Sequence, residues 1–133
     1  MPYSIAQGPH PDFYILTYTE QLAYEELLID DDLHLNEDRQ IYILADTSHM
    51  SSSLPDRFME AISKSFVVHP NIGHIASFNP SSILWIAAQM VIKFTGQYKK
   101  ITVHKTYQEA YDTIMTLIQE QENDAQSAAQ EDR

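Results

Sequence analysis

One short segment, residues 41–45, constrains the fold of this chain more than any other part of the sequence. It reads Ile-Tyr-Ile-Leu-Ala and does not alternate with polar residues. A strand with one solvated face alternates, whereas a strand covered on both faces reads as an unbroken apolar run. The segment therefore predicts a buried strand in a largely parallel sheet.

Strand and helix patterns alternate on either side of this segment. Strand patterns occupy residues 3–6, 13–18, 73–78 and 100–104, and helical patterns occupy residues 20–30, 54–66, 81–95 and 107–118. Thr19 can cap the first helix, and residues 47–53 form a polar loop before the second. The third helix ends at Gly96, and the fourth begins with a capping box formed by Thr106 and Glu109, with Tyr107 on its apolar face. The order β-β-α-β-α-β-α-β-α predicts an α/β fold with a mixed, mostly parallel five-stranded sheet and about four helices.

The length of 133 residues is that of one domain, and we assign residues 1–120 to it. The apolar periodicity of the last helix stops near Ile118. Residues 121–133 are polar and rich in Gln, Glu, Asp and Ala. We therefore predict that they form an acidic, disordered tail.

Composition argues against several classes of function. The formal net charge of −11 would repel nucleic acids and anionic lipid surfaces. The chain has no cysteine, which excludes a disulfide scaffold and a thiolate site. The longest apolar stretch, residues 83–94, is too short to span a membrane, and no signal peptide is visible. We expect a cytoplasmic location, without nucleic-acid binding or a membrane span.

The element order resembles the STAS family, the fold of the bacterial anti-sigma-factor antagonists, and is most similar to the divergent SpoIIAA-like proteins. The resemblance is carried by residues 41–46, 47–53 and the helix from Leu54, followed by residues 78–80 and 101–118. It implies a regulatory or scaffold domain that binds a protein partner. In STAS antagonists a partner kinase phosphorylates a Ser or Thr at the start of the helix after the third strand. The positions that match here are Ser51, Ser52 and Ser53, although the glycine of the family pattern is absent.

This serine-rich loop is a candidate phosphorylation or anion-binding site. Phosphate on Ser51 or Ser52 would lie near the positive end of the next helix and near Arg57. The alternative is that Ser53 is only the N-cap of that helix and that its neighbours are solvated.

The helix predicted over residues 81–95 is apolar nearly all round, so one face must pack on the sheet and another is hard to bury. A leftover patch of Trp85, Met90 and Phe94 would suit a protein partner or a homodimer. The alternative is that neighbouring helices cover this patch. A second reading of the function is a small-molecule or lipid carrier with an internal pocket lined by Phe58, Phe66, Trp85 and Phe94.

Catalytic and metal-binding patterns are weak. The six histidines are scattered, without the i, i+4 pair that a helical zinc site would use. An enzyme would need Asp46, His49 and His104, which follow predicted strands, to converge within hydrogen-bonding reach. We predict no enzymatic activity, no cofactor and no metal.

Overall fold

The computed structural model describes residues 3–20, 39–50, 70–78, 89–90, 92–93, 96 and 100–131. These residues contain five strands and one helix with defined bounds. They are β1 (Tyr3–Gln7), β2 (Phe13–Glu20), β3 (Ile41–Met50), β4 (Ile72–Phe78), β5 (Ile101–His104) and α1 (Tyr107–Glu131).

The five strands form one sheet in the order β1-β2-β3-β4-β5. The β1–β2 pair is an antiparallel hairpin, and the other three pairs are parallel. The predicted mixed, mostly parallel five-stranded sheet is therefore confirmed. Each parallel neighbour needs a crossover connection, which brings the carboxyl ends of β2 to β5 to one edge of the sheet.

The prediction of about four helices is confirmed only in part. Helix α1 is present, and residues 89–90 and 92–93 are helical, within the predicted third helix. Gly96 ends that segment as predicted, because its φ of 71° is left-handed and its N–H donates to the Ile92 carbonyl at 3.1 Å. The helix predicted over residues 20–30 lies outside the described residues except for Glu20, and the helix predicted over residues 54–66 lies entirely outside them.

Two strands are longer than the sequence pattern predicts. Thr19 was expected to cap a helix that begins at Glu20, yet both residues belong to β2. Residues 47–50 were expected in a loop, yet β3 runs to Met50. The two extensions pair with each other, Thr19 with His49 and Glu20 with Met50, after a register shift. This mutual backbone pairing decides the local structure, because polar and β-branched residues are accepted in a strand once a neighbour supplies hydrogen bonds.

Residues 121–131, within the predicted disordered tail, are helical, because α1 continues past Ile118 as far as Glu131. Gln, Glu and Ala are good helix formers, so these residues can continue the helix once its start is held in place. Two contacts with distant residues hold that start. The Tyr42 hydroxyl donates to Gln121 Oε1 at 2.6 Å, and His10 Nε2 lies 2.6 Å from Glu122 Oε1.

Both faces of the sheet are buried. Phe13, Tyr42, Leu44 and Ala76 pack with Ala110, Ile114 and Ile118 of α1. Side chains that alternate with these along the strands, including Leu16, Ile41, Ile43 and Ile72, are also buried. The unbroken burial of residues 41–45 confirms the sequence-based prediction of a strand covered on both faces.

Candidate functional site

The candidate site lies at the carboxyl edge of the parallel strands, next to the first turn of α1. The strand register aligns Thr17, Asp46, Phe78 and His104 in one row across β2 to β5. In sheets of this kind ligands and partners bind at this edge, because the strand ends and the loops after them meet there.

A carboxylate and a hydroxyl of β3 are fixed together at this carboxyl edge. Asp46 Oδ1 accepts hydrogen bonds from the Ser48 backbone N–H at 2.9 Å and from Ser48 Oγ at 2.6 Å. The Thr47 hydroxyl donates to the Phe78 carbonyl at 2.9 Å, which ties β3 to the end of β4. The Asp46 carboxylate is therefore oriented before any partner arrives, and it lies level with Phe78, the last residue of β4.

An aromatic row runs beside this pair. Tyr107 packs edge-on against Phe78, with ring centroids 6.3 Å apart, and stacks with Tyr111 at 6.4 Å. Tyr111 in turn contacts Phe13 of the core at 5.4 Å. Tyr107 nevertheless remains 37% exposed, so a rigid aromatic side chain is presented to solvent at this edge.

The electrostatic surroundings keep Tyr107 protonated. Burial raises the pKa of Tyr107, and the Asp46 carboxylate and Tyr111 raise it further. A neutral phenol can both donate and accept a hydrogen bond. The site therefore offers a hydroxyl donor on an aromatic anchor close to a fixed carboxylate.

A second polar feature, the His74–Thr102–His104 chain, lies on β4 and β5. Thr102 Oγ1 is 3.0 Å from His74 Nε2 and 2.7 Å from His104 Nε2, and His74 is buried. A hydroxyl has one hydrogen, so Thr102 donates to one imidazole and accepts from the other. The two Nε2 atoms therefore have opposite roles while both rings are neutral.

Protonation of His104 is disfavoured in this arrangement. Burial lowers the pKa of His104, and the Glu109 carboxylate opposes the shift without cancelling it. A protonated His104 would have to donate to Thr102, which would then donate to His74 and fix the tautomer of that ring.

This arrangement predicts a specific pH dependence of stability. Because the folded-state pKa of His104 is lowered, the unfolded chain binds this proton more readily. Stability from His104 is fully present above the unfolded value of about 6.5 and is lost as pH falls through the window between that value and the folded pKa. Urea unfolding at a series of pH values should therefore show a shallower acid loss for His104→Gln than for the wild type. The comparison cancels the histidines outside the His74–Thr102–His104 chain, and equal slopes would contradict the prediction.

Most sequence-predicted site residues lie outside the described residues. These are Ser51, Ser52, Ser53 and Arg57 of the serine-rich loop, Trp85 and Phe94 of the interface, and Phe58 and Phe66 of the suggested pocket. Their roles stay predictions. Met90 is described and is 55% exposed, the largest exposure of any bulky apolar residue among the described side chains.

The structure does not bring Asp46 and His104 together. Asp46 on β3 and His104 on β5 each pair with Phe78 of β4, the strand that lies between them. Their Cα atoms are therefore about 10 Å apart at the usual spacing between strands. The Asp46 carboxylate bonds to Ser48, and the His104 ring bonds to Thr102. These two residues do not form the pair that the enzyme hypothesis required, and the His49 side chain lies outside the described residues.

Sequence reasoning missed Ser48, Phe78 and Tyr107 as members of this site. Ser48 was treated as part of a polar loop, and Tyr107 as one more residue of the apolar helix face. The available signal was positional: each residue lies near the end of a strand or begins the helix after one, where the carboxyl edge of a parallel sheet gathers side chains.

The described part of the chain contains neither a metal-binding cluster nor a membrane-spanning helix. No group of three or more His, Asp or Glu side chains there could hold a metal ion. No helix there is long and apolar enough to cross a membrane.

Comparison with solved structures places the fold in a known class. The chain is similar to an uncharacterized protein from the DUF3478 family with a SpoIIAA-like fold, from Shewanella loihica PV-4. The TM-score is 0.61 at 15% sequence identity, and the match covers 84% of this chain and 91% of that one. No protein-family profile and no curated protein sequence matches. The chain therefore has a SpoIIAA-like fold, as the element order predicted.

Proposed function

We propose that this chain is a non-enzymatic regulatory or scaffold domain that binds a protein partner at the carboxyl edge of its sheet. The observation that carries the proposal is the exposure of Tyr107, held by Phe78 and Tyr111 next to the fixed Asp46–Ser48 pair. A cytoplasmic location and the absence of a bound cofactor are part of the same proposal.

An anchored tyrosine is well suited to protein recognition. Tyrosine buries a large apolar area with few rotatable bonds and keeps a polar end for hydrogen bonding. Here two aromatic contacts hold the ring in place, so little side-chain entropy would be lost on binding. Asp46 and Ser48 add a directed acceptor and a hydroxyl within the same edge.

The charge of the chain indicates which partner surfaces fit. With a net charge of −11, association with a basic protein surface is accelerated and association with nucleic acid is opposed. Ser51 follows β3 directly in the sequence, so phosphate on the predicted serine-rich loop would add further negative charge. Such a change would alter partner choice through charge alone.

Site-specific photocrosslinking tests this proposal. A benzoylphenylalanine in place of Tyr107 should capture a discrete protein in the producing cells, whereas the same group in place of Asp112 should not. Asp112 is an exposed residue of the same helix, five positions later, and lies on a different side of it. The captured protein, once purified, should bind Tyr107→Ala at least about tenfold more weakly than the wild type, since interface tyrosines are often hot spots.

Two results would contradict the proposal. One is equal capture from both positions, which would indicate random collision. The other is a captured protein that binds Tyr107→Ala and wild type with the same affinity. Thermal unfolding of each variant should accompany the measurements, because Tyr107 also packs on Phe78.

The alternative of a small-molecule or lipid carrier stays a prediction. Its suggested pocket residues lie outside the described part of the chain. On the α1 side of the sheet, Phe13, Leu44 and Ile114 are fully buried in a packed cluster. No described feature favours the carrier over the protein-binding domain.

A further inference from the structure

The two edge strands of the sheet differ in how they are protected against pairing with another chain. Among the described strands, β1 and β5 are the edges. Strand β5 has only four residues and is flanked by Lys100 and Lys105. Short length and flanking lysines are the usual devices that keep an edge from pairing with another chain.

Strand β1 is one residue longer than β5 and has no lysine at either flank. It reads Tyr-Ser-Ile-Ala-Gln, and residues 3–11 contain no Asp, Glu, Lys or Arg. Ser4, Ala6 and Gln7 are exposed, and Ile5 is half-buried. In a chain with a net charge of −11, an uncharged edge strand lets two copies approach with little local repulsion.

The alternation of hydrogen-bonded and non-hydrogen-bonded pairs in the hairpin shows which backbone groups of β1 point away from β2. The Gly8 N–H donates to the Phe13 carbonyl at 2.7 Å, so this opposed pair is a hydrogen-bonded one. Hydrogen-bonded pairs alternate along an antiparallel ladder, which makes Ala6–Ile15 and Ser4–Thr17 the next ones. The N–H and C=O groups of Tyr3, Ile5 and Gln7 therefore point away from β2.

We propose that β1 is a self-association edge, on which a second copy of this chain adds its own β1 in antiparallel register centred on Ile5. In that register Ile5 faces Ile5 of the second copy, and Tyr3 faces Gln7. Every outward N–H and C=O of Tyr3, Ile5 and Gln7 then finds a partner across the two-fold axis. The two sheets become one continuous sheet, and the half-buried Ile5 side chains meet.

This interface is separate from the proposed partner site. Tyr107 lies at the carboxyl ends of β3 to β5, whereas β1 is an edge strand on the far side of β2. Either proposal can therefore fail without the other. The interface also has a distinctive salt dependence, because screening reduces the repulsion between two acidic chains and should strengthen the dimer.

Single cysteines test the register directly, since the wild-type chain has none. Opposed residues of an antiparallel pair lie about 5.5 Å apart at Cα, within the range that a disulfide spans. With a mild oxidant, the full chain carrying Ile5→Cys should form a covalent dimer at least about tenfold faster than Tyr3→Cys. Tyr3 is the control because its two copies would be about four residues apart along the ladder, or about 13 Å.

Light scattering coupled to size exclusion gives the second, non-covalent measurement. Wild type and Ile5→Val should both associate at high protein concentration, more strongly in 500 mM than in 50 mM NaCl. Ile5→Pro should be a folded monomer, because proline removes an outward N–H and leaves the β1–β2 bonds intact. If Ile5→Pro does not fold, Ala6→Glu, which adds charge at an exposed edge position, should give the same monomer. A monomeric wild type, or equal cross-linking of the two cysteine variants, would overturn the proposal.

Discussion

Replacing Phe13 with alanine should lower the free energy of unfolding by about 3–5 kcal/mol, the usual range for a buried phenylalanine. Phe13 is fully buried, belongs to the core cluster under α1 and contacts the Tyr111 ring. It also begins β2 and is opposed to the hairpin turn. Its loss therefore removes apolar burial at the point where the hairpin, the central strands and the helix meet.

The space around Phe13 does not collapse easily, which favours the upper part of that range. A Cβ atom added to Gly8 would lie 2.8 Å from Phe13 Cγ, so the backbone of the turn already touches the ring. The Gln7 side-chain amide nitrogen lies 2.7, 3.1 and 2.9 Å from the carbonyl oxygens of His10, Pro11 and Phe13, and its two N–H groups hold this turn in place. A rigid wall leaves a cavity when the ring is removed.

Urea unfolding followed by circular dichroism measures this effect. Ser4→Ala, an exposed position in the neighbouring strand, is the control and should change stability by less than about 0.5 kcal/mol. A loss below about 1 kcal/mol for Phe13→Ala would mean that the ring is not part of the core as described.

Replacing Ile114 with alanine should cost about 2–5 kcal/mol. Ile114 is fully buried and lies between Ala110 and Ile118 on the face of α1 that packs on the sheet. Its side chain is one of the few large groups that hold the helix against the strands. The same contact indirectly positions Tyr107, which lies two turns earlier on the helix.

The matched control for this substitution is Thr116→Ala, an exposed position two residues later on the same helix. Alanine raises helix propensity at both positions, so the difference between the two variants isolates the lost packing. Equal stability of the two variants would show that α1 does not depend on this contact. Near-ultraviolet circular dichroism of Ile114→Ala should also lose aromatic signal if Tyr107 and Tyr111 become less ordered.

Much of the fold could be predicted because its signals are local. The run of residues 41–45, the strand patterns around it and the capping by Thr106 each depend on a few neighbouring residues. The Thr106 hydroxyl accepts from the Glu109 N–H at 3.2 Å, as the sequence pattern predicted. The buried face of α1, formed by Ala110, Ile114 and Ile118, could be predicted for the same reason, because these apolar residues recur at helical spacing.

The errors occurred where a distant segment decided the local structure. Thr19 and residues 47–50 look like a helix cap and a loop until β2 and β3 pair with each other. The sequence of residues 121–131 is typical of a disordered tail, but in the structure Tyr42 and His10 form hydrogen bonds with Gln121 and Glu122. No local pattern could supply these partners, which are 79 and 112 residues away in the chain.

The candidate site was predictable only as a region. Sequence order indicated that strand ends would gather at one edge of the sheet, and Asp46 was recognised as one of them. It did not indicate that Ser48 would bond to Asp46, that Tyr107 would rest on Phe78, or that His104 would turn to Thr102. These contacts depend on register and on which side chains share a face, and a shift of one residue would change all of them.

By itself, therefore, the amino-acid sequence determined the class of fold, the parallel centre of the sheet, the buried face of the last helix and the acidic character of the chain. Each follows from composition or from periodicity along a short segment. Only the tertiary structure decided how far β2, β3 and α1 extend, which residues form the site at the carboxyl edge, and which backbone groups of β1 face outward. Those features depend on hydrogen bonds and packing between segments far apart in the chain, and such pairings exist only once the sheet has formed.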